Sequence, residues 1–98
     1  YNKFTYDPLT RELSNQLLSL RFTEKEGEIF AYLLNNGNSY ISKKELLRNI
    51  WSYAEGIDTH TLETHVYALR KKVEKKFGIN GLILSEEKKG YYLNKSIL

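Results

Sequence analysis

One stretch constrains this chain more than any other, the nineteen residues from Thr59 to Phe77. Its apolar positions are Leu62, Val66, Leu69, Val73 and Phe77, spaced 4, 3, 4 and 4. That period is a helix with a single stripe to bury. Asp58 or Thr59 can cap its start, and Gly78 ends it. At 1.5 Å per residue the helix is roughly 28 Å long. One narrow stripe needs other elements packed along it and leaves most of the circumference in water.

At about 100° per residue the stripe fixes what points away from it. The opposite face carries His60, Thr64, Tyr67, Ala68, Lys71 and Lys75. Glu63, His65, Arg70 and Lys72 lie on the flanks. A DNA major groove is about 12 Å wide and admits one helix. Base edges need donors, acceptors and methyl contacts, and the groove walls need cations for phosphate. Thr64, Tyr67 and Ala68 suit the first task; Arg70, Lys71 and Lys72 suit the second. Each residue alone is equally an ordinary surface residue. The whole face together carries the reading.

The charge distribution points the same way. The chain has 98 residues and a net charge of +3. The first 58 residues carry −1 and the last 40 carry +4. Most of the excess falls in Arg70, Lys71, Lys72, Lys75 and Lys76. Such asymmetry fits a polyanion partner, or a solvated basic helix face.

The rest of the chain supplies what the long helix packs against. Residues 1–22 are short apolar–polar alternations broken by turn formers, with Asp7-Pro8 a turn signal. Phe4 and Tyr6 share one face, and Leu18, Leu20 and Phe22 alternate with period two. This reads as an antiparallel sheet of about three strands, too small to stand alone. A first helix over 23–36 opens with a capping box, Thr23 and Glu26, and carries Ile29, Phe30, Leu33 and Leu34 as its stripe. Asn35, Asn36 and Gly37 stop it. Gly27 inside its first turns is a local conflict, costing about 1 kcal/mol against Ala. A second helix over 42–51 repeats the signature with Ser42 and Glu45, and turns Leu46, Leu47, Ile50 and Trp51 inward. Ser39-Tyr40-Ile41 reads as a short extended link and residues 52–58 as a loop. Two strand-like runs over 82–93 flank Glu86-Glu87-Lys88-Lys89 and predict a hairpin with a charged tip. The order is sheet, helix, helix, loop, long helix, hairpin: one α+β domain on the winged helix-turn-helix plan.

Several classes are excluded or disfavoured. No apolar run approaches the ~20 residues that span a bilayer, and nothing reads as a signal peptide. With no Cys there are no disulfides or thiolate metal sites, which fits a reducing cytosol. His60 and His65 sit about 140° apart on the helix and do not share a metal. No phosphate loop, nucleophile elbow or zinc-protease motif is present, and the carboxylates sit where helix starts want them. No catalytic residue and no cofactor is expected. With no Met, Tyr1 is not a natural start, and the chain is expected to belong to something longer.

Four motifs resemble one known family. Phe22–Glu26 (FTEKE) resembles the opening of the first helix in OmpR/PhoB-type effector domains of two-component response regulators. Ser42–Trp51 (SKKELLRNIW) resembles their second helix with its closing Trp, and Asp58–Glu74 (DTHTLETHVYALRKKVE) is similar to their recognition helix. Gly90–Leu93 (GYYL) resembles the end of their wing. The resemblance implies an output domain that binds promoter DNA in a sequence-specific way. The helix enters the major groove and the wing lies on the neighbouring backbone or minor groove. It implies tandem copies on direct repeats and a receiver domain outside this chain, and a domain this small is expected to be a monomer when free. A four-stranded sheet precedes the helices in that family. By position, Thr61, Glu63, Thr64, Tyr67 and Ala68 match groove-facing sites. His65 and Arg70 match phosphate-contacting sites. Trp51, Ser52, Tyr53 and Glu55 begin a segment that in relatives touches RNA polymerase, and is otherwise a plain connection.

The departures from the family are informative. Relatives often have arginines where this chain has Tyr67 and Ala68. Neither can make a bidentate contact to guanine, so the expected site leans toward A·T pairs and thymine methyls. Glu86 and Glu87 in the wing repel phosphate, and Lys88 and Lys89 compensate if they occupy the tip. The alternative is a winged helix that binds protein, for which eight Tyr and one Trp would suit an interface. Salt separates the two. DNA binding weakens steeply with salt, and replacing Lys71 and Lys72 should flatten that slope by about two units.

Overall fold

A computed structural model describes residues 4–36, 39–52 and 57–98. Gly37, Tyr53 and Glu55, which the sequence reading used, lie outside the described residues. Three strands open the chain: β1 (Thr5–Asp7), β2 (Glu12–Ser14) and β3 (Ser19–Arg21). They pair antiparallel in that order, with Tyr6 opposite Leu13 and Leu13 opposite Leu20. That row faces the helices, and Leu13 is buried. The other parity faces water, where Glu12 meets Arg21 across the ladder at 3.6 Å. Local hydrogen bonds make both turns. Asp7 Oδ1 accepts from the Leu9 N–H, and Asn15 Oδ1 accepts from those of Leu17 and Leu18. The second turn lifts Leu18 out of the alternation to 41% exposure, against the period-two expectation. The sheet has three strands among the described residues, where the family resemblance implied four.

Helix α1 spans Glu24–Asn36. The Thr23 N–H donates to Glu26 Oε1 at 2.9 Å, and the Glu26 N–H to Thr23 Oγ1 at 3.3 Å, which closes the capping box. Ile29, Phe30 and Leu33 are buried. Gly27 is explained by the sheet above it. A Cβ there would stand 2.9 Å from the Tyr6 hydroxyl and 3.0 Å from the Arg11 side chain. The glycine lets the sheet settle on α1, and Tyr6, Phe22 and Phe30 pack together at the seam.

Helix α2 spans Lys43–Trp51, with Ser42 Oγ accepting from the Glu45 N–H. Helix α3 spans Thr59–Phe77. Asp58 is its N-cap, accepting from the Thr61 N–H, and Gly78 closes it in the left-handed region at φ 70°. Leu62, Val66, Leu69 and Val73 are all but fully buried. Each burial contributes about 1.5–3 kcal/mol relative to exposure. Phe77 is half-buried and meets Phe4 edge-on at 4.9 Å. The stripe therefore commits α3 to α1, α2 and the sheet and leaves the reverse face in water.

The hairpin of β4 (Ile83–Glu86) and β5 (Gly90–Leu93) follows, then a 3-10 turn over Lys95–Ile97. Ile83, Tyr91 and Leu93 are buried beneath it. The link before α2 joins this hairpin. Ile41 and Tyr91 exchange both backbone hydrogen bonds, at 2.7 and 2.9 Å. Gly90 permits the approach. Its φ is 105°, and a Cβ would lie 2.0 Å from the Ile41 carbonyl oxygen. The wing is thereby tied to the entrance of α2.

Candidate nucleic-acid interface

The outer face of α3 begins at its first turn. Thr61 is half-buried, and its N–H donates to the Asp58 cap. Thr64 is exposed, and its hydroxyl donates to the His60 carbonyl at 3.0 Å, which leaves the oxygen free to accept. Tyr67, one turn on, is 63% exposed, a large apolar ring held in water. The Lys71 ammonium lies 5.6 Å from the centre of that ring and 3.7 Å from Glu74. Ala68 is half-buried beside them. His60, Thr64, Tyr67, Lys71 and Lys75 are all exposed, so the opposite face reads as the stripe dictated.

The flanks are busier than the sequence indicated. Lys72 does not face outward with the groove-wall cations. Its ammonium is 2.7 Å from Oε1 of Glu26, a carboxylate whose side chain is only 3% exposed. A buried carboxylate without a partner is costly, so the charge at Lys72 is committed to the seam between α1 and α3. Glu63 is also engaged, since its Oε2 accepts from the Lys43 ammonium at 2.8 Å. Lys43 in turn lies 5.8 Å from the ring of Tyr91. The bond to Glu63 raises the pKa of Lys43, and burial raises that of Tyr91 against the opposing charges of Lys43 and Arg70. Arg70 is exposed on this flank, beside the wing.

His65 is half-buried, its ring 5.5 Å from that of Trp51. Trp51 also carries Lys25 over its face at 5.5 Å. Trp51 thus packs between α1 and α3, while Ser52 beyond it is exposed with φ 53°. At the wing, Glu87, Lys88 and Lys89 form the turn, closed by the Lys89 N–H on the Glu86 carbonyl at 3.1 Å. Both lysines therefore stand at the tip. Lys89 lies 5.9 Å from the ring of Tyr40, which stacks on Tyr92 at 5.5 Å.

Sequence reasoning missed Lys43 and Tyr40 as neighbours of this surface. Both depend on the Ile41–Tyr91 bridge, and no local signal announces a contact between residues about fifty apart. Among the described residues no group of acids and histidines is placed to hold a metal ion. No described helix is long and apolar enough to cross a membrane.

An exposed helix face with hydrogen-bonding groups at its centre and cations along it, beside a hairpin tipped with lysines, defines a winged-helix domain of the DNA-reading type. A family profile described as "Transcriptional regulatory protein, C terminal" matches residues 17–93, and the chain belongs to that family, the OmpR/PhoB-type effector domains. The response regulator SaeR of Staphylococcus aureus is 41% identical over 51 residues, which is 52% of this chain and 22% of that relative. The chain thus aligns with about a fifth of the relative's length. Among solved structures, the C-terminal domain of the nisin resistance regulator NsrR is 29% identical, covers 92% of this chain and 90% of its own, and has a TM-score of 0.76. The AdeR DNA-binding domain, solved in complex with an intercistronic region, is 24% identical with a TM-score of 0.78 and covers 95% of each chain.

Proposed function

We propose that this chain reads double-stranded DNA as the output domain of a response regulator that controls transcription. Helix α3 enters the major groove, and the wing tip lies on the adjacent backbone or minor groove. One observation carries the reading: α3 buries a single stripe and presents Thr64, Tyr67, Lys71 and Lys75 to water along one face. Family membership and the AdeR complex support it.

Thr61, Thr64, Tyr67 and Ala68 are the base-facing set of this proposal. Arg70, Lys71, Lys88 and Lys89 are its phosphate set, with His65 at the edge. Lys72 holds Glu26 instead. A threonine oxygen, an aromatic ring and a methyl group favour A·T pairs and thymine methyls over guanine. The proposal extends to a monomer in solution that binds direct repeats in tandem, a cytoplasmic location, a receiver domain as its regulatory partner, and RNA polymerase as a contact of the segment from Trp51 through Ser52, Tyr53 and Glu55.

The test is a salt titration of binding to a labelled duplex carrying the preferred site. The logarithm of affinity should fall steeply and linearly with that of salt concentration, and Lys71→Met should flatten the slope by about one unit. Binding that ignores salt would overturn the proposal in favour of a protein partner.

A further inference from the structure

The Lys43–Glu63 pair has a consequence for which bases this helix selects. Glu63 lies in the second turn of α3, on the flank that faces the start of α2 and the wing. A bare carboxylate beside a groove wall is repelled by phosphate. This one is not bare. Its Oε2 accepts from the Lys43 ammonium at 2.8 Å, and the side chain remains 44% exposed. Lys43 is held in place in turn, 27% exposed and lying against the Tyr91 ring. Tyr91 is fixed by its two backbone bonds to Ile41.

The arrangement does three things. It sets a cation beside the carboxylate and so lessens the penalty of bringing an acid near DNA. It ties one oxygen of Glu63 to a neighbouring helix and so narrows the positions the side chain takes. It leaves Oε1 without a protein partner among the described residues and open at the surface, able to accept from a donor that approaches α3. In the major groove, cytosine offers an amine donor at N4, and guanine offers only acceptors, N7 and O6. An acceptor-only group therefore selects cytosine and rejects guanine. Adenine also offers an amine, but its N7 acceptor sits beside it and faces the carboxylate unfavourably.

We infer that Glu63 is a specificity-determining residue that reads one cytosine in each half-site, and that Lys43 is the positioning residue that makes a carboxylate usable there. The inference rests on the proposal that α3 enters the major groove, and it adds a fixed C·G pair to a site otherwise leaning toward A·T.

The experiment selects bound duplexes from a random pool with the parent chain, Glu63→Gln, Glu63→Ala and Lys43→Met, each first shown to be folded by circular dichroism. The parent should enrich a motif in which one column favours cytosine by roughly tenfold. Glu63→Gln should move that column toward adenine, since a glutamine amide can pair with N6 and N7 together. Glu63→Ala should flatten the column and leave the others unchanged. Lys43→Met should weaken binding and flatten the same column as Glu63→Ala; a weaker complex with the cytosine column intact would overturn the positioning role. If the Gln and Ala variants return the parent motif in every column, the pair is a structural bridge and the inference is overturned while DNA reading stands. If the parent itself enriches nothing, the functional proposal fails and this inference with it.

Discussion

Lys72 offers the sharpest separation of structure from function on α3. It adjoins Lys71 in a basic run, and sequence alone gives the two the same task. The structure gives them different ones. Lys71 is exposed on the outer face, and Lys72 reaches 2.7 Å from Glu26, whose side chain is 3% exposed. In Lys72→Met the Glu26 carboxylate keeps the Thr23 N–H at 2.9 Å and loses its only ion-pair partner among the described residues. Removing one member of a fully buried pair costs about 3–5 kcal/mol. Lys72 is 37% exposed, so water can reach the vacated end and the cost is smaller, about 2 kcal/mol. For a domain of this size each kcal/mol lowers the melting temperature by roughly 4–8 °C, so Lys72→Met should melt about 8–16 °C lower.

Glu26→Gln keeps an acceptor for the Thr23 N–H and removes the buried charge. Adding it to Lys72→Met should therefore recover about 1 kcal/mol, a non-additivity that a double-mutant cycle reads directly. The DNA assay provides the second axis. Below its melting transition, Lys72→Met should keep the parent salt slope, whereas Lys71→Met should keep parent stability and lose about one unit of slope. The reasoning is refuted if Lys72→Met stays within about 0.5 kcal/mol of the parent and its slope flattens by a full unit.

Three further outcomes follow from the wing and its anchor. Gly90→Ala should destabilise the fold by about 3 kcal/mol or more, because φ is 105° and the new Cβ meets backbone at Ile41, whereas Gly78→Ala, in open space at φ 70°, should cost about 1 kcal/mol; urea denaturation of both measures the contrast. Tyr91 and Lys43 both have pKa values raised above their ordinary 10.0 and 10.5, so the folded state holds these protons longer than the unfolded. Their contribution to stability is complete below about pH 10 and is lost as pH rises through the folded values, so the melting temperature should fall above pH 10, and Tyr91→Phe should lessen that fall. Replacing Lys88 and Lys89 together by Met should flatten the salt slope by up to about two units with no change in melting temperature; an unchanged slope would place the wing tip off the DNA.

Much of this architecture was legible because its signals are local. Thr23 with Glu26, Ser42 with Glu45, and Asp58 announce helix starts within four residues of themselves. The spacing of Leu62, Val66, Leu69 and Val73 fixes which side of α3 is core and therefore which side is free. What stayed hidden depends on contacts across the chain. Glu26 reads as a capping acid that suits a helix dipole. Its burial follows from the sheet and α3 closing over it, and Lys72 is 46 residues away. Gly27 was a local conflict in sequence and becomes the seat of Tyr6 and Arg11 in space. The period-two pattern at Leu18 misled because the Asn15 turn takes that residue before the strand begins. In the interface, residue types were readable and partners were not, so Glu63 and Lys72 looked free when each already had a bond.

The central claim is that the outer face of α3 reads DNA sequence. Selection from a random duplex pool at near-physiological salt tests it most directly. The expected result is enrichment of a short motif rich in A·T pairs with one fixed cytosine per half-site, repeated in direct orientation at about one helical turn. Retention of every duplex alike, with no column of the pool departing from its starting composition, would contradict it.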